Sequence, residues 1–210
     1  MLFGAVGIGV APRTKVVNIR NLNKHKTLTV SLGAVAPPFA VLSGFGPFAI
    51  APRHKTAVTI QFTPTVIGKA AGSLNIASGD PHHPTFKVAL IGHGAGGHLT
   101  VGLPAPIPPA TMPTLGFGTV VKNTTLTKTL TVTNTGRGVL NGNVGAFAIG
   151  IPFSLTQGVG AFTLQPHQSL TIGVRFAPTA TGKATATLMI TDTAPGTPAI
   201  VKVEMAGRGK

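Results

Sequence analysis

The 210 residues are 43% apolar with a mean hydropathy of +0.38, which excludes a disordered chain despite 28 Gly and 18 Pro. Seventeen Lys and Arg against three acids give a net charge of +14, a field that draws a protein toward anionic polymers at low salt or simply solubilises its wet faces. The absence of cysteine excludes disulfides and thiolate metal sites.

The start, Met1-Leu2-Phe3-Gly4, lacks the basic flank and apolar core of a signal peptide, and no run of apolar residues is long enough to span a bilayer. Arg13, Lys15, Arg20, Lys24 and Lys26 follow within one short segment, interrupted by Val16, Val17 and Ile19 as strand residues interrupt a wet face. These five cations are the candidate contacts to an anionic partner such as nucleic acid, acidic polysaccharide or lipid headgroups. With no Trp or Tyr and no recognition helix, such binding would be non-specific.

Alternation with a period of two continues through Leu28, Val30 and Leu32, then Val58, Ile60 and Phe62, then Leu74 with Ile76, and Phe86 with Val88 and Leu90. Each set predicts a strand with one buried and one solvated face. Phe62-Thr63-Pro64-Thr65 followed by Gly68 reads as a strand leaving its sheet into a turn. Ser78, Asp80, His82 and His83 form the best constellation for a metal or nucleophile site. A turn whose Asp bonds its own backbone explains the same residues with less machinery.

Gly92, Gly94 and Gly97 spell G-x-G-x-x-G, but five prolines follow instead of a helix, so the dinucleotide reading fails on context. His25, His54, His93, His98 and His167 are scattered, and Asp80, Asp192 and Glu204 do not pair for hydrolysis. No catalytic, cofactor or metal residue is assigned, and the chain is read as not an enzyme.

A repeat decides the architecture. FTPTVIGKAAGSLNI from Phe62 returns as FAPTATGKATATLMI from Phe176, and the flanks follow in order. Phe3, Gly4 and Val6 match Phe117, Gly118 and Val120. Val17, Ile19 and Asn21 match Leu130, Val132 and Asn134, and Pro38 and Phe39 match Pro152 and Phe153. The expected fold is all-β, two tandem immunoglobulin-like antiparallel β-sandwich domains over residues 1–94 and 114–210. Residues 95–113, with Pro104, Pro106, Pro108, Pro109 and Pro113, form a stiff connector and lead-in.

Phe-Gly-x-Val, a strand ending in Asn, a Pro-Phe strand, Phe-x-Pro-Thr-x-x-Gly and a closing Gly-x-Gly occur in this order in both halves. The residues are Phe3, Gly4, Val6, Asn21, Phe62, Pro64, Gly68, Gly92 and Gly94, then Phe117, Gly118, Val120, Asn134, Phe176, Pro178, Gly182, Gly207 and Gly209. The pattern resembles the choice-of-anchor D repeats of bacterial surface proteins, which are similar to the ASH or Hydin-type domains and to the PapD-like and major sperm protein-like sandwiches. The resemblance implies a structural or protein-interaction repeat without catalytic residues. Its partners would be other proteins or further repeats of one array, at the cell surface or outside the cell, or in a cytoplasmic scaffold. One departure is that His98, Leu99, Thr100 and Val101 lead into the second copy, whereas the first has no room for a leading strand. An edge strand is therefore expected to be missing from the first domain, which should be the weaker one and belong to a longer array.

Overall fold

The computed structural model describes residues 1–104, 112–193 and 199–210. The prolines expected to stiffen the connector at 106, 108 and 109 lie outside this set. The chain forms two compact units, Met1–Ala95 and Gly96–Lys210, and every regular element among the described residues is a strand.

In the first unit the strands are β1 (Leu2–Gly7), β2 (Arg13–Arg20), β3 (Leu28–Leu32), β4 (Phe39–Val41), β5 (Phe48–Ile50), β6 (Lys55–Phe62), β7 (Gly68–Ser78) and β8 (Thr85–Ala95). They make one sheet in the order β1-β8-β7-β3-β5 and a second in the order β2-β6-β4. The second unit adds β9 (Leu99–Gly102) and then repeats the set as β10 (Thr114–Val120), β11 (Leu126–Asn134), β12 (Leu140–Val144), β13 (Phe153–Gln157), β14 (Gly160–Leu164), β15 (Ser169–Phe176), β16 (Gly182–Asp192) and β17 (Ile200–Gly209). Its sheets are β10-β17-β16-β12-β14 and β13-β15-β11-β9.

The repeat is therefore a repeat of topology, and β9 is the one strand without a counterpart among the described residues. It pairs antiparallel with β11, Leu99 opposite Asn134 and Val101 opposite Val132. The front of the expected connector is thus a strand of the second unit, because Leu99 and Val101 alternate and have a core to cover.

One pairing departs from the antiparallel pattern. β1 runs parallel to β8 and β10 parallel to β17, each joining the strand of the Phe-Gly motif to the last strand of its unit, with the intervening sandwich serving as the long crossover that parallel strands need. Both parallel pairs shift register around the Phe-Gly motif, at Gly4 and Gly118. There φ is 72° and 68°, a conformation that costs an L-residue and not glycine.

Each core is built around three phenylalanines from three strands. Phe3, Phe39 and Phe62 have ring centroids 4.9–5.7 Å apart, and Phe117, Phe153 and Phe176 repeat the group at 4.7–5.6 Å, distances at which tilted and offset rings attract. The closing Gly-x-Gly fits against this group. A Cβ at Gly92 or Gly207 would strike the ring of Phe62 or Phe176, and one at Gly94 or Gly209 would strike a carbonyl of the preceding turn. The motif is a packing requirement.

Candidate functional site

Strand registers align the units residue by residue. Val17 faces Val58 on β6 as Leu130 faces Ile172 on β15, so β2 and β11 are equivalent strands with Val17, Ile19 and Asn21 at the places of Leu130, Val132 and Asn134. Leu28 corresponds to Leu140 through their partners Ile50 and Leu164. Val88 corresponds to Val203 through Leu74 and Leu188.

The two sets differ in cover. Leu130, Val132, Leu140 and Val203 are at most 1% exposed, whereas Val17, Ile19, Leu28 and Val88 are only partly buried. What closes the second unit is β9: Leu99 is buried, and Val101 and Leu103 pack on the same core. In the first unit the same four positions line an open groove of about 720 Å³, with Leu22, Phe86 and Ile76 beside them. Leu22 is 77% and Phe86 51% exposed. β2 is the edge of its three-stranded sheet, so its outer backbone groups face the groove mouth without a ladder partner among the described residues.

The buried asparagines anchor this region. Asn134 donates from Nδ2 to the carbonyls of Gly138 and Leu164 at 2.8 and 3.0 Å. Its Oδ1 accepts from the N–H of Gly136 and of His98, each at 3.0 Å. Asn21 repeats three of these bonds, to the carbonyls of Lys26 and Ile50 and from the N–H of Asn23. The bond from the leading strand is the one it does not repeat, and an amide oxygen has two lone pairs.

The five cations of the first segment do not share one face. Arg13 and Lys15 have the same parity along β2 as Val17 and Ile19, and Arg20 has the opposite parity. The Arg13 guanidinium is taken up internally, with Nη1 donating to the carbonyl of Phe3 at 2.7 Å. Arg20 and Lys26 line the groove, and Lys24 lies in the loop after β2.

Ser78, Asp80, His82 and His83 form a turn at the groove rim. The Asp80 carboxylate accepts the N–H of His82 at 3.0 Å, the Ser78 hydroxyl donates to the carbonyl of His83 at 2.7 Å, and His83 Nδ1 lies 3.5 Å from Asp80 Oδ2. The backbone bond from His82 is the main cause that holds the Asp80 carboxyl below the usual carboxylate range; the slight burial opposes it and His83 assists. Among the described residues no three His, Asp or Glu side chains gather as metal ligands would. Register also places the second acid. Asp192 faces Gly142 where Ser78 faces the equivalent Val30, so Asp192 is the counterpart of Ser78. The counterparts of Asp80 and its neighbours, from Ala194 to Pro198, lie outside the described residues.

The apolar groove itself is not visible as a motif. Val17 and Ile19 read as ordinary strand residues, and nothing in their own pattern marks them as uncovered.

Two sandwiches, each with a parallel pair at one edge, a Phe triad and a buried Asn at the same place, define a tandem immunoglobulin-like all-β protein. Residues 103–200, within the second unit, match the model of the ASH family, "Abnormal spindle-like microcephaly-assoc'd, ASPM-SPD-2-Hydin". Among solved structures it is similar to the ASH / PapD-like domain 7 of human CEP192, at 10% identity and TM-score 0.42, covering 53% of this chain and 84% of that one. It is also similar to the periplasmic chaperone SfaE, at 10% identity and TM-score 0.33 over 99% and 97% of the two chains. A third similar structure is the CsuC-CsuE chaperone-tip adhesion subunit pre-assembly complex of Acinetobacter baumannii, at 9% identity and TM-score 0.32 over 96% and 94%. No curated protein sequence matches the chain.

Proposed function

We propose that the chain is a non-enzymatic module that binds other polypeptides and forms one link of a longer scaffold or surface array. The observation that carries this reading is the groove on the first unit, where Val17, Ile19, Leu28 and Val88 line an open apolar hollow at positions that the second unit covers. Exposed apolar concavities rimmed by polar residues are a usual mark of protein contact sites. The ASH match over residues 103–200 supports the same reading. Panning a displayed random-peptide library against the full chain tests it. The expected result is enrichment of peptides that no longer bind once Leu22→Asp and Phe86→Asp have charged the groove.

The net charge of +14 favours a second reading, an electrostatic binder of anionic polymers through Arg13, Lys15, Arg20, Lys24 and Lys26. Retention on heparin or DNA that falls steeply with salt, together with no peptide enrichment, would decide for it against the protein-interaction reading.

A further inference from the structure

We propose that the groove of the first unit receives an extended strand from another polypeptide, added antiparallel to β2, with apolar residues at alternate positions and neutral or acidic residues between them. This inference rests on the protein-interaction reading and narrows it to one kind of ligand, bound by completing a sheet.

The second unit shows the seated form. β9 lies antiparallel on β11 with Thr100 opposite Thr133 and Val101 opposite Val132, and the N–H of Thr135 donates to the carbonyl of His98 at 2.8 Å. Leu99 fills the core beneath, and the His98 N–H caps Asn134 Oδ1. Each receiving element recurs in the first unit. Arg20 and Ile19 stand at the places of Thr133 and Val132, and Leu22 at that of Thr135. Asn21 offers its Oδ1 at the same corner, and the apolar floor of Val17, Ile19, Leu28 and Val88 lies open. An incoming strand would gain a backbone ladder along the edge of β2 and bury its alternate side chains on that floor, as strand addition does elsewhere.

Charge argues which strand. A second copy of this chain pairing its own β2 edge to edge would bring Arg13, Lys15 and Arg20 of both strands onto one ladder, and like charges close together across a ladder are destabilising. The copy's β9 is engaged with its own β11. With Arg20 and Lys26 on the groove wall and Asp80 as the sole acid before residue 95, a strand with acidic outward residues is favoured over a basic one.

The absence of cysteine permits a direct test of register on the full chain. The probe is a synthetic copy of residues 96–103, unlabelled or carrying a fluorophore, and a version with Thr100→Cys. Residues directly opposite across an antiparallel pair lie close enough for a disulfide. The Thr100→Cys peptide is expected to cross-link to an Arg20→Cys chain at least about tenfold faster than to an Asn18→Cys chain, where it would be out of register. The fluorescent peptide should bind saturably. A peptide with Leu99→Ser and Val101→Ser, or a chain with the exposed Leu22→Asp, should weaken binding about tenfold or more. Replacing His98 and Thr100 of the peptide by Glu should strengthen it. Equal cross-linking at both cysteines, or no saturation up to about 1 mM peptide, would overturn the proposal. Library peptides that compete for the groove but carry helical rather than alternating patterns would also overturn it, and would leave the protein-interaction reading standing.

Discussion

Asn134 holds His98 by its backbone: the side-chain oxygen of the buried Asn accepts the His98 N–H at 3.0 Å. The same oxygen also takes the N–H of Gly136, while the amide nitrogen serves the carbonyls of Gly138 and Leu164. One side chain thereby ties the leading strand, the turn after β11 and the end of β14 together. Asn21 makes the corresponding bonds to its own turn and to Ile50.

Asn134→Ala should therefore destabilise the second unit by about 2–3 kcal/mol, since it strands buried carbonyls and loosens β9 as well. Asn21→Ala should cost the first unit less, because no leading strand hangs on it. Urea titration of the two variants, followed by hydrogen exchange resolved to each unit, measures both. Equal losses would show that the bond to His98 contributes nothing to the anchoring of β9.

The close approach of Gly207 to Phe176 gives a second expectation. Gly207→Ala places a methyl against the ring, and relief requires moving either the Phe triad or β17. The expected loss is about 1–3 kcal/mol. Gly33→Ala, whose nearest neighbours on Asn75 lie at 3.4 Å, should stay within about 0.5 kcal/mol of the parent. A circular-dichroism melt of each variant distinguishes the two.

Acid should act on the groove rim through Asp80. Its folded pKa is depressed, chiefly by the His82 N–H, so the stabilisation it gives is present above its unfolded pKa and is lost as pH falls through the folded value. Asp80→Asn should flatten that part of the pH profile while leaving the melting temperature near neutral pH only slightly lower. Because the chain holds three acids in all, the total acid sensitivity should be small. Melting temperature from pH 7 to pH 2 checks this, and an unchanged profile in the variant would remove Asp80 as its source.

The Phe-Gly, Pro-Phe and closing Gly-x-Gly positions were legible as constrained because the chain states them twice, and duplication separates constrained positions from free ones; the bulge at Phe-Gly and the grouping of the rings were not. Leu99 and Val101 were legible as residues of one strand face because they alternate with Thr100 between them. What could not be read was the groove, since its lining residues alternate like any strand and only the missing neighbour uncovers them. The short β4, β5, β13 and β14 were also poorly signalled, because three to five residues between glycines and prolines carry too little periodicity.

The two units should unfold separately, with the first giving way earlier. Val17, Ile19, Leu28 and Val88 keep part of their apolar surface in water, where Leu130, Val132, Leu140 and Val203 keep almost none. At about 25 cal/mol per Å² of apolar surface, partial exposure of four such side chains amounts to about 3 kcal/mol of lost stabilisation, before the unpaired edge of β2 is considered. With no Trp or Tyr, intrinsic fluorescence is weak, and circular dichroism would not separate two all-β units, so the measurement is hydrogen exchange by mass spectrometry on the full chain in increasing urea. Peptides from β6 and β7 should lose protection at lower urea than those from β15 and β16. Adding the peptide of residues 96–103 in excess should raise the first midpoint by mass action and leave the second in place, because a ligand that binds only the folded first unit stabilises that unit alone. In a chain carrying Leu99→Ser and Val101→Ser the order should narrow or invert, since the second unit then loses its own cover at the same four positions. Coincident midpoints in the parent chain, unmoved by the peptide, would mean that the open groove costs the first unit nothing.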